Sequence, residues 1–171
     1  SLVDGGTVKV SLVNDALELG RSREGVMITS DFRISSLITT VLVEIFDLSD
    51  PSVADVIRKT SKYDILNQLV QENGVRLFFD KKVWKKMVHL DEAKVRQILR
   101  NLVTNAFKHR SSFIDISGMI QDKNLTLRVK DDGRGIPPED QQRIFETYFT
   151  TGSCLDDAIN SHGLGLAGVM I

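Results

Sequence analysis

The residues best suited to bind a ligand lie at positions 130–137, where an aspartate is followed by two spaced glycines. Asp131 directly follows the alternating run at residues 125–130, and this alternation predicts a half-buried strand. Gly133 and Gly135 predict a turn in which a ligand can approach the main chain closely, because glycine has no side chain. A carboxylate fixed at such a strand end can accept a hydrogen bond from an exocyclic amine, such as that of adenine. The alternative is an ordinary Asp-Gly turn.

A second set of polar side chains lies on the predicted helix of residues 91–109, which Asp91 caps at its N-terminus. Asn101, Asn105 and Lys108 fall within about 60° of one another around the helix axis, beside the apolar stripe. Amide oxygens suit Mg²⁺, which is usually held together with substrate phosphates, and a lysine contacts phosphates as a point charge. This face predicts a magnesium and phosphate site. The alternative is a solvated helix flank with two incidental asparagines.

A glycine-rich segment at residues 161–168 predicts a phosphate site at the start of a helix. Gly163, Leu164 and Gly165 alternate small and apolar residues, and such a segment presents several backbone N–H groups to an anion. The preceding residues, 150–161, are rich in Thr, Ser, Asp and Gly and show no periodicity. That composition predicts a mobile loop.

The remaining patterns predict the elements that position these residues. We expect strands at residues 8–13, 26–29 and 75–79, an extended piece at 83–90, a hairpin of 113–120 and 125–130, and helices at 35–46, 51–71, 91–109 and 138–149. Asp50 or Ser49 is expected to cap the 51–71 helix, and Gly74 to end the same helix in a left-handed conformation. The hairpin is expected to bring Asp131 to the edge of the sheet.

The composition fits one well-buried α/β domain. The 171 residues are 42% apolar and carry a net charge of −1, so nothing indicates nucleic-acid binding. The single cysteine, Cys154, excludes an intramolecular disulfide framework and indicates a reducing compartment. The apolar run at residues 37–46 is too short to span a bilayer. Because the sequence starts without Met and ends within an apolar run, we interpret it as a piece of a longer protein.

Taken in order, four features resemble the nucleotide-binding boxes of the histidine-kinase catalytic domain: the double-asparagine helix, the Asp-x-Gly-x-Gly strand end, the Phe-containing helix and the Gly-Leu-Gly-Leu-Ala segment. This domain belongs to the ATP-binding superfamily shared with gyrase, MutL and heat-shock chaperones. The resemblance covers residues 47–171, and the last strands of the family domain are expected to be missing. It implies a Bergerat-type α/β fold, an α+β two-layer sandwich with helices over one face of a mixed sheet. Residues 1–46 are interpreted as a linking or dimerising element of unassigned fold.

The resemblance implies a role for each matching residue of the helix. Asn105 is similar to the Mg²⁺-ligating asparagine of the family, and Asn101 to its partner one turn earlier. Lys108 is similar to the lysine that contacts phosphate. His109 occupies a position that a ring near the nucleotide often fills.

The resemblance extends in the same way to the glycine-containing segments. Asp131 looks like the carboxylate that recognises adenine, and Gly133 and Gly135 look like the glycines that shape the pocket floor. The segment Gly163-Leu164-Gly165 looks like the hinge that ends the ATP lid of the family.

The activity implied is that of the ATP-binding catalytic domain of a two-component sensor histidine kinase, which uses ATP and Mg²⁺ to phosphorylate a histidine. None of His89, His109 and His162 lies in an acceptor-type helix, so the acceptor is expected outside this sequence. The implied partners are the acceptor-histidine dimerisation domain of the same protein, giving a homodimer, and a response-regulator receiver domain. The implied location is cytoplasmic. The lid carries Asp156 and Asp157 but no Lys or Arg, so it offers the γ-phosphate no cationic side chain.

Two other activities stay open. One is an ATPase or chaperone-type module driven by lid closure, and the other is a scaffold that binds nucleotide without catalysis. Hydrolysis needs a general base for water, and the related hydrolases and anti-sigma-factor serine kinases have a glutamate one turn before the metal asparagine. Asn101 occupies that position and cannot take a proton, which favours the histidine kinase. The matched nucleotide-contacting positions are all present, which argues against the scaffold.

Overall fold

A computed structural model of the chain describes residues 3–11, 28–60 and 62–135. The elements occur in the order β1 (Val3–Ser11), β2 (Ser30–Arg33), α1 (Ile34–Ser49), α2 (Pro51–Lys59), α3 (Tyr63–Glu72), β3 (Val75–Phe79), α4 (Lys81–Trp84), β4 (Met87–Leu90), α5 (Glu92–His109), β5 (Ile114–Gln121) and β6 (Asn124–Asp131). Within these ranges no helix is long and apolar enough to cross a membrane.

The main sheet has four strands in the order β1-β6-β5-β3, and it is mixed. Strands β5 and β6 form the predicted antiparallel hairpin, β1 pairs antiparallel with β6, and β3 pairs parallel with β5. Gln121 lies opposite Asn124, and the two residues between them, Asp122 and Lys123, have φ of 50° and 62°. Positive φ at both central positions is the geometry of a two-residue turn whose twist matches the strands.

The core lies between α5 and one face of this sheet. The helix buries Val95, Ile98, Leu99, Leu102, Val103 and Ala106, and the facing strands bury Ile114, Ile116, Leu125, Leu127 and Val129. On the other face of the sheet, Phe78 and Arg128 are exposed and Arg76 is half-buried. In the described part of the chain, the helices therefore cover one face of a mixed sheet, as predicted.

Helix α1 packs against α5. It buries a continuous apolar face that includes Leu37, Val41 and Ile45. At its C-terminal end, the ring of Phe46 meets the ring of Phe107 edge to face, with 5.8 Å between centroids. The predicted helix at residues 35–46 is confirmed, and α1 crosses the predicted domain boundary at residue 46.

The single helix predicted at residues 51–71 is wrong, because the structure has two helices there. The predicted cap and stop are both present: Asp50 accepts hydrogen bonds from the backbone N–H groups of Ser52 and Val53, and Gly74 has φ of +78°. Between them, however, Thr60 is extended and ends α2. Polar residues 58–62 separate the two apolar groups, so this stretch has no apolar side chain that could hold a continuous helix against the core.

Two of the predicted extended segments also differ from the structure. The start of the piece predicted at residues 83–90 belongs to α4, because the Asp80 carboxylate caps a turn through the N–H of Lys82, 2.6 Å away. Trp84 then packs its ring on those of Tyr63 and Phe79. The end of that piece is β4. Its partner strand, β2, starts at Ser30. Of the run predicted at residues 26–29, residues 28–29 precede β2, and residues 26–27 lie outside the described residues.

Side chains of α3 satisfy the outer edge of strand β3. The Asn67 amide oxygen accepts a hydrogen bond from the Leu77 N–H at 2.9 Å. The Tyr63 hydroxyl donates to the Leu77 carbonyl at 2.8 Å and accepts from the Phe79 N–H at 3.2 Å. These groups would otherwise lack a strand partner, so α3 is fixed to the sheet by hydrogen bonds as well as by apolar contacts.

We expect Tyr63→Phe to destabilise the fold by about 1–2 kcal/mol, because it leaves two backbone groups of β3 without their partner. Chemical denaturation measures the loss, and hydrogen exchange should quicken at Phe79. The control is Ile65→Ala on the same helix, since Ile65 is 53% exposed. An unchanged denaturation midpoint in Tyr63→Phe would contradict this account of the β3 edge.

Candidate functional site

The site is built around Asp131, the last residue of β6. Leu125, Leu127 and Val129 alternate along β6 on the helix-facing side, and Asp131 continues that alternation. It is 7% exposed and is the one charged residue that is buried in the described part of the chain. Strand β6 lies between β1 and β5, so Asp131 lies at the carboxyl end of an interior strand. A buried carboxylate requires strong hydrogen-bond donors.

Among the described residues, one donor reaches the Asp131 side chain: the Gly133 N–H, 2.9 Å from Oδ1. This two-residue turn fixes the carboxylate relative to the backbone that follows β6. The carboxylate has capacity for several hydrogen bonds. It can therefore still accept one from the amine of a ligand.

Gly133 brings the turn after β6 into contact with the end of α5. A Cβ atom at this position would lie 2.2 Å from the carbonyl oxygen of His109 and 2.6 Å from Oδ1 of Asp131. Glycine is therefore required here by the close approach of two backbones. Gly135 is required for a different reason, since its φ is +77°.

The polar face of α5 has the placement predicted for it. Asn101 and Asn105 are half-buried, and Lys108 and His109 are exposed in the last turn. Neither asparagine amide has a hydrogen-bond partner among residues 28–60 and 62–135.

Other asparagines in the described ranges are bonded through their amides. Asn67 bonds to β3, Asn73 donates to the Leu69 carbonyl, and Asn124 donates to the Asp122 carbonyl. Asn101 and Asn105 therefore present two half-buried amides one turn apart, without a protein partner among the described residues, and amide oxygens are of the kind that hard cations bind. No group of three or more His, Cys, Asp or Glu suited to a metal occurs in the described residues.

Asp132 has a role that sequence reasoning missed. Its carboxylate accepts hydrogen bonds from three consecutive backbone N–H groups in the α5–β5 loop, those of Ser111, Ser112 and Phe113, at 2.9–3.1 Å. These bonds, that from Ser112 foremost, lower the pKa of Asp132 below its usual value. The contribution of the charged Asp132 to the stability of the fold is therefore present above a pH of about 4, and it is lost as the pH falls further.

Arg110 holds the other side of the same loop. Its guanidinium donates to the carbonyls of Asn73 and Gly74 at 3.2 and 3.1 Å, and it stacks on the ring of Phe107 at 4.2 Å. Burial lowers the pKa of Arg110, and the charge of Asp132 opposes that shift. An arginine remains protonated under all ordinary conditions. In the sequence, the only feature that pointed to the role of Asp132 was its position directly after Asp131.

The structure thus brings the Asp131 turn to the end of the helix that carries Asn105, Lys108 and His109. The remaining predicted site residues, Gly163, Leu164 and Gly165, lie outside the described residues. The same holds for the predicted 138–149 helix and the predicted lid at 150–161.

Comparison with known proteins gives a consistent result. Residues 90–170 match the family model of "Histidine kinase-, DNA gyrase B-, and HSP90-like ATPase". The chain is 34% identical over 103 residues to the sensor protein kinase GraS of Staphylococcus aureus, which covers 60% of this chain and 29% of GraS. It is 28% identical over 123 residues to the sensor protein KdpD of Clostridium acetobutylicum, covering 71% of this chain and 13% of KdpD. The chain therefore spans less than a third of the length of either relative.

Solved structures with this fold include histidine kinases. The catalytic domain of histidine kinase ThkA aligns with a TM-score of 0.56 at 23% identity, over 83% of this chain and 77% of that domain. Full-length ShkA in complex with AMPPNP aligns with a TM-score of 0.56 at 23% identity, over 92% of this chain and 29% of ShkA. At 23% identity, these alignments show that the fold is shared and nothing further.

We expect Gly133→Ala to separate the turn after β6 from α5, because its methyl group would overlap the His109 carbonyl. Overpacking of this kind costs about 1–3 kcal/mol, which chemical denaturation measures. Backbone NMR shifts should change at residues 105–110. Ser111→Ala, in the adjoining exposed loop, is the control. Wild-type stability in Gly133→Ala would show that the close contact is not needed.

Proposed function

We propose that the chain is the ATP-binding catalytic domain of a sensor histidine kinase and binds Mg·ATP for phosphoryl transfer to a histidine outside residues 1–171. The match of residues 90–170 to the histidine kinase-, gyrase- and HSP90-like ATPase family model and the likeness to sensor kinases support this proposal. The observation that carries the proposal is the buried carboxylate of Asp131, held at the end of an interior strand beside the polar face of α5.

Asp131 is proposed to recognise the adenine base. A buried carboxylate accepts a hydrogen bond from the 6-amino group of adenine, and this bond is strong because the acceptor is charged and shielded from water. The Gly133 N–H fixes the carboxylate in place before the nucleotide arrives. Gly133 and Gly135, which carry no side chains, form the floor on which the base lies.

The phosphates are proposed to lie along the last turns of α5. Asn105 is the proposed Mg²⁺ ligand, with Asn101 one turn earlier, and their unpartnered amides support this assignment. Lys108 is exposed and contacts the phosphates, and His109 lies beside the nucleotide. When bound, Mg²⁺ neutralises phosphate charge. The segment Gly163-Leu164-Gly165, which lies outside the described residues, is proposed to be the hinge that ends the ATP lid.

Phosphoryl transfer is favoured over hydrolysis by the identity of residue 101. Hydrolysis of ATP needs a group that orients and deprotonates water, whereas transfer of the phosphoryl group to a second protein needs positioning and charge neutralisation. Asn101 cannot accept a proton, and neither can the amide of Asn105 one turn later.

The remaining proposals rest on the relatives, which are named as sensor kinases. The phosphate acceptor would be a histidine on a dimerisation domain of the same protein, so that the full-length protein is a homodimer. The phosphoryl group would then pass to a response-regulator receiver domain. A kinase domain with these partners would act in the cytoplasm, without a role for nucleic acid.

Asp131→Asn should weaken binding of ADP by about 1.5–3 kcal/mol, roughly 10- to 150-fold, because the hydrogen bond to the base loses its charge. Isothermal titration calorimetry with ADP and Mg²⁺ measures the change. Asp122→Asn, the same substitution in the β5–β6 turn at the far end of the hairpin, should bind as wild type does. Equal affinity in Asp131→Asn and wild type would remove the adenine assignment.

Incubation with γ-labelled ATP tests the reaction itself. The chain alone should release little phosphate and should not label itself, whereas label should appear on a separately supplied acceptor-histidine domain. Asn105→Ala should reduce that transfer at least about tenfold through loss of the metal ligand. Rapid phosphate release by the chain alone would support an ATPase instead, and ATP binding without any transfer would support a scaffold.

A further inference from the structure

We propose that Asp132 is a positioning residue for nucleotide binding: its carboxylate holds the α5–β5 loop against the end of β6 and so sets the spacing between Asp131 and the polar face of α5. The proposal rests on the proposed function, because the spacing matters only if one ligand bridges these two elements. Asp132 is assigned no contact with the ligand, since both of its oxygens already accept hydrogen bonds from the loop.

The hydrogen-bond geometry supports a charged clamp. Oδ1 of Asp132 accepts from Ser111, Ser112 and Phe113 at 2.9, 2.9 and 3.1 Å, and Oδ2 accepts from Ser112 at 3.0 Å. Three successive N–H groups that converge on one point form a concave anion site. Here the anion is a side chain of the chain itself, and it comes from the residue next to Asp131.

The loop is also held on its other side, which opposes a compensating shift. The Arg110 guanidinium donates to the carbonyls of Asn73 and Gly74. The Gly74 carbonyl also accepts from the Ile114 N–H at 2.8 Å. The loop therefore joins the start of β3 to the end of β6. Since it directly follows the last turn of α5, it also fixes where that turn lies.

The neighbouring residues Asp131 and Asp132 thus divide two tasks. Asp131 follows the buried alternation of β6 and faces the helix layer, whereas Asp132 faces the loop. A ligand that contacts both Asp131 and the end of α5 gains affinity from having its two halves held at the right separation. A ligand that contacts one half alone gains nothing from that separation.

This difference provides the test. Asp132→Asn removes the charge and replaces one acceptor oxygen by an N–H₂ group that faces backbone donors. In NMR titrations of the whole chain with Mg²⁺, the Kd for ADP should rise about tenfold or more, because the clamp loses its charge-assisted bonds. The Kd values for adenosine alone and for pyrophosphate alone should change by less than about twofold.

Hydrogen exchange reports on the clamp independently of any ligand. In Asp132→Asn without nucleotide, the amides of residues 111–113 should exchange about tenfold faster or more than in wild type. Asp122→Asn is the matched control, and it should leave both the exchange rates and the ADP affinity unchanged.

Each other outcome overturns the proposal in a recognisable way. If wild type binds ADP and Asp132→Asn binds it equally well, the positioning role is wrong while the proposed function stands. If adenosine and pyrophosphate weaken as much as ADP, Asp132 serves only general stability. Unchanged exchange at residues 111–113 shows that no clamp exists. If wild type binds no ADP, the proposed function fails and the positioning role fails with it.

Discussion

The contact between the Gly133 backbone and the His109 carbonyl is the constraint on which the site depends. This contact joins two elements of different type. One is the end of a long helix, and the other is the turn after an interior strand. Their backbones meet so closely that no side chain fits between them. Everything that α5 carries in its last turns is therefore held at a fixed distance from the buried carboxylate of Asp131.

The packing of the rest of the molecule maintains this contact. One side of α5 is buried against the sheet, and α1 covers another side. The ring of Phe46 packs against that of Phe107 near the C-terminal end of α5. Arg110 uses the Phe107 ring as a platform and extends to the loop before β3. Because each of these contacts is short and involves a different element, a shift of the helix end would disturb all of them.

The parts of this arrangement that sequence reasoning anticipated are those with a regular pattern. The apolar stripe of α5, its Asp91 cap and the β5–β6 hairpin follow from periodicity and turn chemistry, and the structure has all three. The break between α2 and α3 was missed because Val56 and Ile65 fit a helical stripe by spacing, although both are exposed. The α4 turn was missed because Trp84 and Val88 also fit an extended pattern. The contacts of Asp132 with residues 111–113 depend on how distant segments meet, which no local pattern contains.

The hydrogen bonds from α3 to β3 affect how readily this domain associates with other molecules at high concentration. An edge strand with open N–H and carbonyl groups is a template onto which a strand of another molecule can add. On β3 the backbone N–H and carbonyl of Leu77 are already hydrogen-bonded to the side chains of Asn67 and Tyr63. These side chains replace a neighbouring strand but provide no backbone edge for another strand to join. The exposed ring of Phe78, on the same strand, would otherwise favour association at this edge. Two polar side chains on a short helix thus protect the sheet from polymerising at β3.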